Sequence, residues 1–184
     1  KNIEHIRQVV TRQVDIARPG DVVLEPVLFT DLFDQALGIN RAALDKAGIM
    51  VVQEYAQLPV GMTDQHQVLQ ILVNLVTNAR NAMVEATPGP QPHRLLLRLG
   101  PAVDRPGFAR FEVVDTGVGI AAANIPRLFT QGFTTRKEGH GIGLHSASLA
   151  ARNLGGSLRA ASAGQGLGAT FTLDLPMLAQ ELAA

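Results

Sequence analysis

Residues 67–86 read "QVLQILVNLVTNARNAMVEA". The spacing predicts one long helix over 65–86 with two unlike faces. At about 100° per residue, Gln70, Asn74, Asn78, Asn81 and Glu85 fall within roughly 80° of one another. Val68, Leu72, Leu75, Ala79 and Ala82 are expected on the opposite side, facing a core. A solvated stripe is normally built from Lys and Glu, whereas asparagine is an indifferent helix former. Asparagine does offer neutral oxygen acceptors and N–H donors, which suit Mg2+ coordination beside crowded phosphates. A plain polar face satisfies the same pattern, so the helix alone leaves both readings open.

Upstream of this helix, Ile49 to Tyr55 reads as a strand. Before it, a helix with Thr30 as expected N-cap carries Leu32, Phe33, Ala36, Leu37, Ala43 and Leu44 and leaves at Gly48. A short strand is expected from Val22 to Glu25, ended by Pro26. Residues 1–17, "KNIEHIRQVVTRQVDIA", space Ile3, Ile6, Val10 and Ala17 as a coiled-coil seam that Pro19-Gly20 stops. So short a helix is marginal alone and wants a partner.

Downstream, strands are expected over Arg94–Leu99 and Phe108–Val114, with a turn between them. Residues 115–143 read as a long glycine- and threonine-rich loop broken by Leu128-Phe129, and a loop of that length is usually functional. A helix from about Leu144 to Leu154 closes at Gly155-Gly156. Two strands follow, Ser157–Ala161 and Ala169–Leu175, joined by a turn. The order of elements predicts an α+β fold, with helices on one face of a mixed sheet.

Composition narrows the classes of function. Sixteen basic and sixteen acidic residues cancel, which argues against nucleic-acid binding by bulk charge. The absence of cysteine excludes disulfides, thiolate metal sites and cysteine nucleophiles. No apolar run is long enough to span a bilayer, so a soluble, cytoplasmic-type domain is expected. With no tryptophan, its core must be largely aliphatic.

Two further stretches carry chemistry. "FEVVDTGVGI" (111–120) puts Asp115 at a strand end, followed by Gly117 and Gly119. A carboxylate there can accept from an exocyclic amine such as adenine N6, and the glycines let backbone approach a flat base. An ordinary Asp-x-Gly turn reads the same way. "GHGIGLH" (139–145) sets three alternate glycines before a helix start, either a flexible turn or a place where backbone N–H groups receive phosphate oxygens.

Taken in order, Asn-Leu-Val-x-Asn-Ala (74–79), Asp-x-Gly-x-Gly-Ile (115–120), Leu-Phe (128–129), Gly-x-Gly-x-Gly-Leu (139–144) and Gly-Ala-Thr-Phe (168–171) resemble the N, G1, F, G2 and G3 boxes of sensor histidine kinases. The resemblance spans roughly residues 22–176 and extends to gyrase-, chaperone- and mismatch-repair-type ATPases. It implies a Bergerat-type fold: a two-layer sandwich of a mixed, mostly antiparallel sheet with helices on one face. It implies Asn78 as a Mg2+ ligand, with Asn74 and Asn81 near the metal and the phosphates of ATP. Asp115 would take adenine N6, supported by Gly117, Gly119 and Thr170. Residues from about Pro126 to His140 would be a lid over ATP, anchored by Phe129. Gly139, Gly141 and Gly143 would meet phosphates, beside Leu144, with His140 as a possible phosphate contact. There is no Gly-Lys-Ser/Thr, so this is no Walker loop.

The resemblance also separates two branches of chemistry. The ATPase branch carries a water-activating glutamate four residues before the metal asparagine. That position is Asn74 here, and an amide takes up no proton near neutral pH. Transfer to an outside nucleophile fits better, because it rests on positioning and charge stabilisation. In the family that nucleophile is a histidine. None of His5, His66, His93, His140 or His145 is followed by the acidic and proline-containing pattern of a phosphoacceptor, so the acceptor is expected upstream, outside this chain. The family's phosphate-binding basic residue three positions after the metal asparagine is Asn81 here; Arg80, Arg136 or Lys137 are the candidates to supply the charge.

The expected organisation is the end of a dimerisation and phosphoacceptor helix at 1–18, a catalytic ATP-binding domain at 19–178 and a tail at 179–184. Expected partners are that upstream domain and a response regulator receiver domain, in a homodimeric parent. A non-catalytic nucleotide-binding module and a clamp-type ATPase are the alternative readings.

Overall fold

The computed structural model describes residues 22–87, 89–135 and 141–178. The expectations for residues 1–18 and 179–184, and those for Arg136, Lys137, Gly139 and His140, lie outside the described residues.

Five strands form the main sheet: β2 (Met50–Tyr55), β4 (Arg94–Pro101), β5 (Phe108–Asp115), β6 (Ser157–Ala161) and β7 (Ala169–Pro176), in the order β2-β4-β5-β7-β6. Only the β2–β4 pair is parallel; the other three pairs are antiparallel. Three helices cover one face: α1 (Phe29–Lys46), α2 (Gln65–Glu85) and α3 (Gly143–Asn153). The fold is the mixed, mostly antiparallel α+β sandwich expected from the sequence. A separate ribbon pairs β1 (Glu25–Val27) with β3 (Gly61–Thr63).

The core lies between sheet and helices. Phe29 and Phe33 of α1 meet Phe111 of β5 edge-on, at 5.7 and 5.3 Å between ring centres. Val68, Leu72, Leu75 and Ala79 of α2 are fully buried beneath Leu95, Leu97 and Val113. Burial at spacings of three and four on α2, and at alternate residues on β5, is what the two periodicities demand.

The outer face of the sheet is a charge ladder set by register. Glu54, Arg98 and Glu112 stand opposite one another on β2, β4 and β5, and Arg98 bonds both carboxylates at 3.0 Å. Asp174 of β7, only 2% exposed, takes Arg110 through two bonds and Arg159 through a third. Burial opposes ionisation of Asp174, but the two guanidinium groups outweigh it and hold its carboxyl below the ordinary value.

Four expectations are corrected. The first strand begins at Glu25 rather than Val22 and runs through Pro26, which a two-stranded ribbon tolerates because an edge position needs no N–H from it. Helix α1 starts at Phe29 behind Leu28, with no side-chain cap, so Thr30 is a helical residue. Burying Phe29 against Phe111 draws the helix start forward. Residues 122–127, expected as loop, form a 3-10 turn. Ala82 is half-buried rather than core: it stands four residues after Asn78, about 40° around the helix, and turns toward the same side.

Candidate functional site

Asp64 sets the asparagine helix in place. As N-cap of α2 it accepts from Gln67 N at 2.9 Å and Gln67 Nε2 at 3.0 Å, and from Val23 N at 3.1 Å. Burial opposes its ionisation, yet the backbone N–H groups of Gln67 and Val23 outweigh it and keep the carboxyl below its ordinary value. Fixed from that end, α2 presents Asn74, Asn78 and Asn81 along one wall of a cavity of about 920 Å³. Asp115, 4% exposed at the end of β5, lines the same cavity.

The wall is pre-organised. Asn78 Nδ2 donates to Asn74 Oδ1 at 3.2 Å, while Asn74 Nδ2 is buried with no partner among the described residues. Arg80 donates Nε and Nη2 to Asn81 Oδ1 at 3.1 and 2.6 Å, placing a guanidinium beside the stripe without itself lining the cavity. The opposite end is the start of α3, whose N-cap Ile142 makes no side-chain cap bond and whose first turn holds no acidic residue. Its first N–H groups and the positive end of its dipole lie at the cavity, which Ile142, Gly143 and Leu144 line.

Glycines bring these parts together by close approach. A Cβ on Gly143 would lie 2.7 Å from Asn74 Oδ1, so the start of α3 rests directly on the asparagine wall. A Cβ on Gly117 would lie 2.5 Å from the Ala82 carbonyl carbon. That packing lets Val118 N donate to Ala82 O at 3.0 Å and ties the Asp115 loop to α2. Gly117 thus stands behind the cavity, while Gly119 lines it. Asp115 Oδ1 accepts from Gly117 N at 2.8 Å, which orients the carboxylate.

Gly141, at φ 64°, accepts from Gly132 N at 3.1 Å, and its Cα packs against the Gly132–Phe133 backbone. It joins the far end of the segment expected to be a lid to that segment's middle. At the first end Leu128, 9% exposed, lines the cavity, and Phe129 packs half-buried on the core. Phe133 lines the cavity too, with the Arg127 guanidinium 4.7 Å from its ring centre.

Of the sequence-predicted residues, Asn74, Asn78, Asn81, Asp115, Gly119, Gly141, Gly143 and Leu144 line this one cavity. Thr170 does not. Its neighbours Ala169 and Phe171 line the cavity, and strand alternation turns Thr170 to the other face of the sheet. The residue opposite Asp115 in the β5–β7 register is Ala169. His93 lies outside the cavity, its Nδ1 3.0 Å from Thr116 O, and His66 is exposed in the first turn of α2.

Sequence reasoning passed over Ser162. Its Oγ accepts from Ile120 N at 3.0 Å and Gly164 N at 3.2 Å and donates to Gly168 O at 2.6 Å. One hydroxyl, fully used, joins the Asp115 loop to the turn before β7. Gly166 N→Val118 O and Gly168 N→Gly117 O complete the seam. A serine two residues before a glycine-rich turn carries no signal of this in sequence.

Residues 63–179 match the family described as Histidine kinase-, DNA gyrase B-, and HSP90-like ATPase. The chain is 37% identical over 152 residues to the two-component sensor PprA of Pseudomonas aeruginosa, covering 80% of this chain and 16% of that protein. It is 38% identical over 172 residues to the sensor protein FixL of Bradyrhizobium diazoefficiens, covering 92% and 32%. It thus spans less than a third of the length of either relative. Among solved structures, full-length ShkA in complex with AMPPNP superposes with a TM-score of 0.74 at 25% identity, over 87% of this chain and 32% of that one. The mycobacterial sensor histidine kinase MprB shares the fold at a TM-score of 0.71 and 24% identity, over 86% of this chain and 100% of that one.

Proposed function

The chain belongs to the family of histidine kinase-, DNA gyrase B- and HSP90-like ATPases, and on that premise we propose that it is the catalytic ATP-binding domain of a sensor histidine kinase. The carrying observation is the convergence of Asn74, Asn78 and Asp115 on one cavity that also receives the start of α3.

Asp115, oriented by Gly117 N–H, takes the adenine amine. The buried, unpartnered Asn74 Nδ2 and the uncapped first turn of α3 are donors of the kind phosphate oxygens need, which supports a triphosphate at that end. Asn78 commits its N–H to Asn74, so a metal would be held by its Oδ1 together with phosphate oxygens. A hard cation with oxygen ligands fits this donor set; among the described residues no cluster of three His, Cys, Asp or Glu offers another. Mg2+, when bound, neutralises charge on the phosphate oxygens. Arg80, held on Asn81, adds a second positive charge at the wall.

Asn74 supports transfer rather than hydrolysis, because no proton acceptor stands where a water-activating glutamate would. The γ-phosphoryl group then passes to a histidine nitrogen outside this chain, on the upstream helical domain whose last helix ends at residues 1–18. Its bond to the β–γ bridging oxygen breaks as ADP leaves. A receiver-domain aspartate is its next acceptor, and the catalytic domain spans 19–178 in a homodimeric, cytoplasmic-facing parent. Among the described residues no helix is long and apolar enough to cross a membrane.

The test joins the chain to its upstream phosphoacceptor segment and adds ATP labelled at the γ position. Acid-labile, base-stable label is expected, and Asn78→Ala should abolish it. ATP binding without any label would point to a non-catalytic module, and steady phosphate release by this chain alone to the clamp-type ATPase.

A further inference from the structure

His145, in the first turn of α3, lies with its Nδ1 2.9 Å from the carbonyl oxygen of Phe129, sixteen residues earlier. A carbonyl can only accept, so Nδ1 carries the hydrogen and a neutral ring is held in the Nδ1–H form. In water, free histidine favours Nε2–H. The bond joins two parts of the cleft: Leu128, beside the tethered carbonyl, and Leu144, beside the tethering ring, both line the cavity. A second bond, Gly132 N→Gly141 O, lies inside the same segment, three residues after Phe129 and four before His145. Thr130 bonds Arg127 O through both its N and its Oγ1, so the carbonyl that His145 holds is part of a braced turn.

We propose that His145 is a positioning residue for the nucleotide cleft. Its Nδ1–H holds the Phe129 carbonyl and fixes the base of the lid onto the helix whose N-terminus receives phosphate. Free of that bond, the Leu128–Phe129 turn is tied toward α3, among the described residues, through Gly132 N→Gly141 O alone, and ATP must complete its ordering on binding. This role rests on the cleft being an ATP site.

The experiment compares the unmodified chain with His145→Leu, which keeps bulk but loses the donor, and His145→Asn, whose Nδ2 replaces Nδ1 at the same branch position. Mg-ATP affinity is measured for all three, and the ring tautomer of the unmodified chain is read from long-range ¹H–¹⁵N correlations. Expected are an Nδ1–H tautomer, a Kd raised ~3–10-fold in His145→Leu, and recovery to within about twofold in His145→Asn. An Nε2–H tautomer, equal affinity in all three, or a His145→Asn variant as weak as His145→Leu would overturn the role. Should His145→Leu fail to fold, the tautomer and His145→Asn carry the test: an Nε2–H ring, or loss of affinity in a folded His145→Asn, overturns it. An unmodified chain with no ATP affinity would overturn the functional reading, and this role with it.

Discussion

Asp115 and Gly143 carry the sharpest residue-level consequences. A carboxylate accepts from adenine N6, whereas guanine presents a carbonyl at the matching position and is repelled. Asp115→Asn offers an N–H as well, so the preference for ATP over GTP should shrink, as read from competition titrations. Gly143 acts through a neighbour: a methyl there displaces the Asn74 side chain 2.7 Å away. Gly143→Ala should weaken Mg-ATP binding several-fold, and it should cost little more in an Asn74→Ala background. Additive losses in that double-mutant cycle would contradict the coupling. The asparagine stripe was legible because three asparagines on one helical face break the usual surface chemistry. The contact of Gly143 with Asn74 was not, since sixty-nine residues of chain separate two groups that only the fold brings together. Thr170 was misplaced for a related reason: a motif names a neighbourhood, while strand alternation decides that Ala169 is the residue facing Asp115.

Elements depend on a few polar anchors. Asp64 closes the N-terminus of α2 and also holds Val23 N, so Asp64→Ala should cost about 1–2 kcal/mol in chemical denaturation. Ser162→Ala leaves Ile120 N and Gly164 N without their acceptor, and a loss of ~1–3 kcal/mol is expected with a weaker hold on adenine. Unchanged stability and affinity would show that the seam between the Asp115 loop and the β7 turn stands without it. The long helix and the five sheet strands could be read from periodicity, because one buried face imposes it. The ribbon of β1 and β3 could not: three-residue strands hold too little pattern, and Pro26 reads locally as a stop. Thr30 looked like a cap, but burial of Phe29 outweighs a cap hydrogen bond.

At the scale of the whole molecule, the sheet leaves one face to charge and gives the other to the helices. Asp174 and Asp64 both have carboxyls held below the ordinary value of 3.8 in the folded chain. The unfolded chain therefore binds more protons just below that value. Their stabilisation is present above it and is lost as pH falls through the lower folded values. Thermal melts between about pH 5 and pH 2 should show stability falling with acid, and Asp174→Asn should flatten that fall while lowering stability at neutral pH. The cleft itself forms only when α2, the β5 end, the lid base and α3 are assembled, so nucleotide binding is measured on the intact chain. Calorimetric titration of ATP, with and without Mg2+, into the unmodified chain, Asn78→Ala and Asp115→Ala does this directly. One site per chain is expected, tightened by Mg2+, with Mg2+ losing its effect in Asn78→Ala and affinity falling ~10–100-fold in Asp115→Ala. Equal, Mg2+-dependent binding by all three proteins, or no binding by the unmodified chain, would rule out an ATP site built on Asn78 and Asp115.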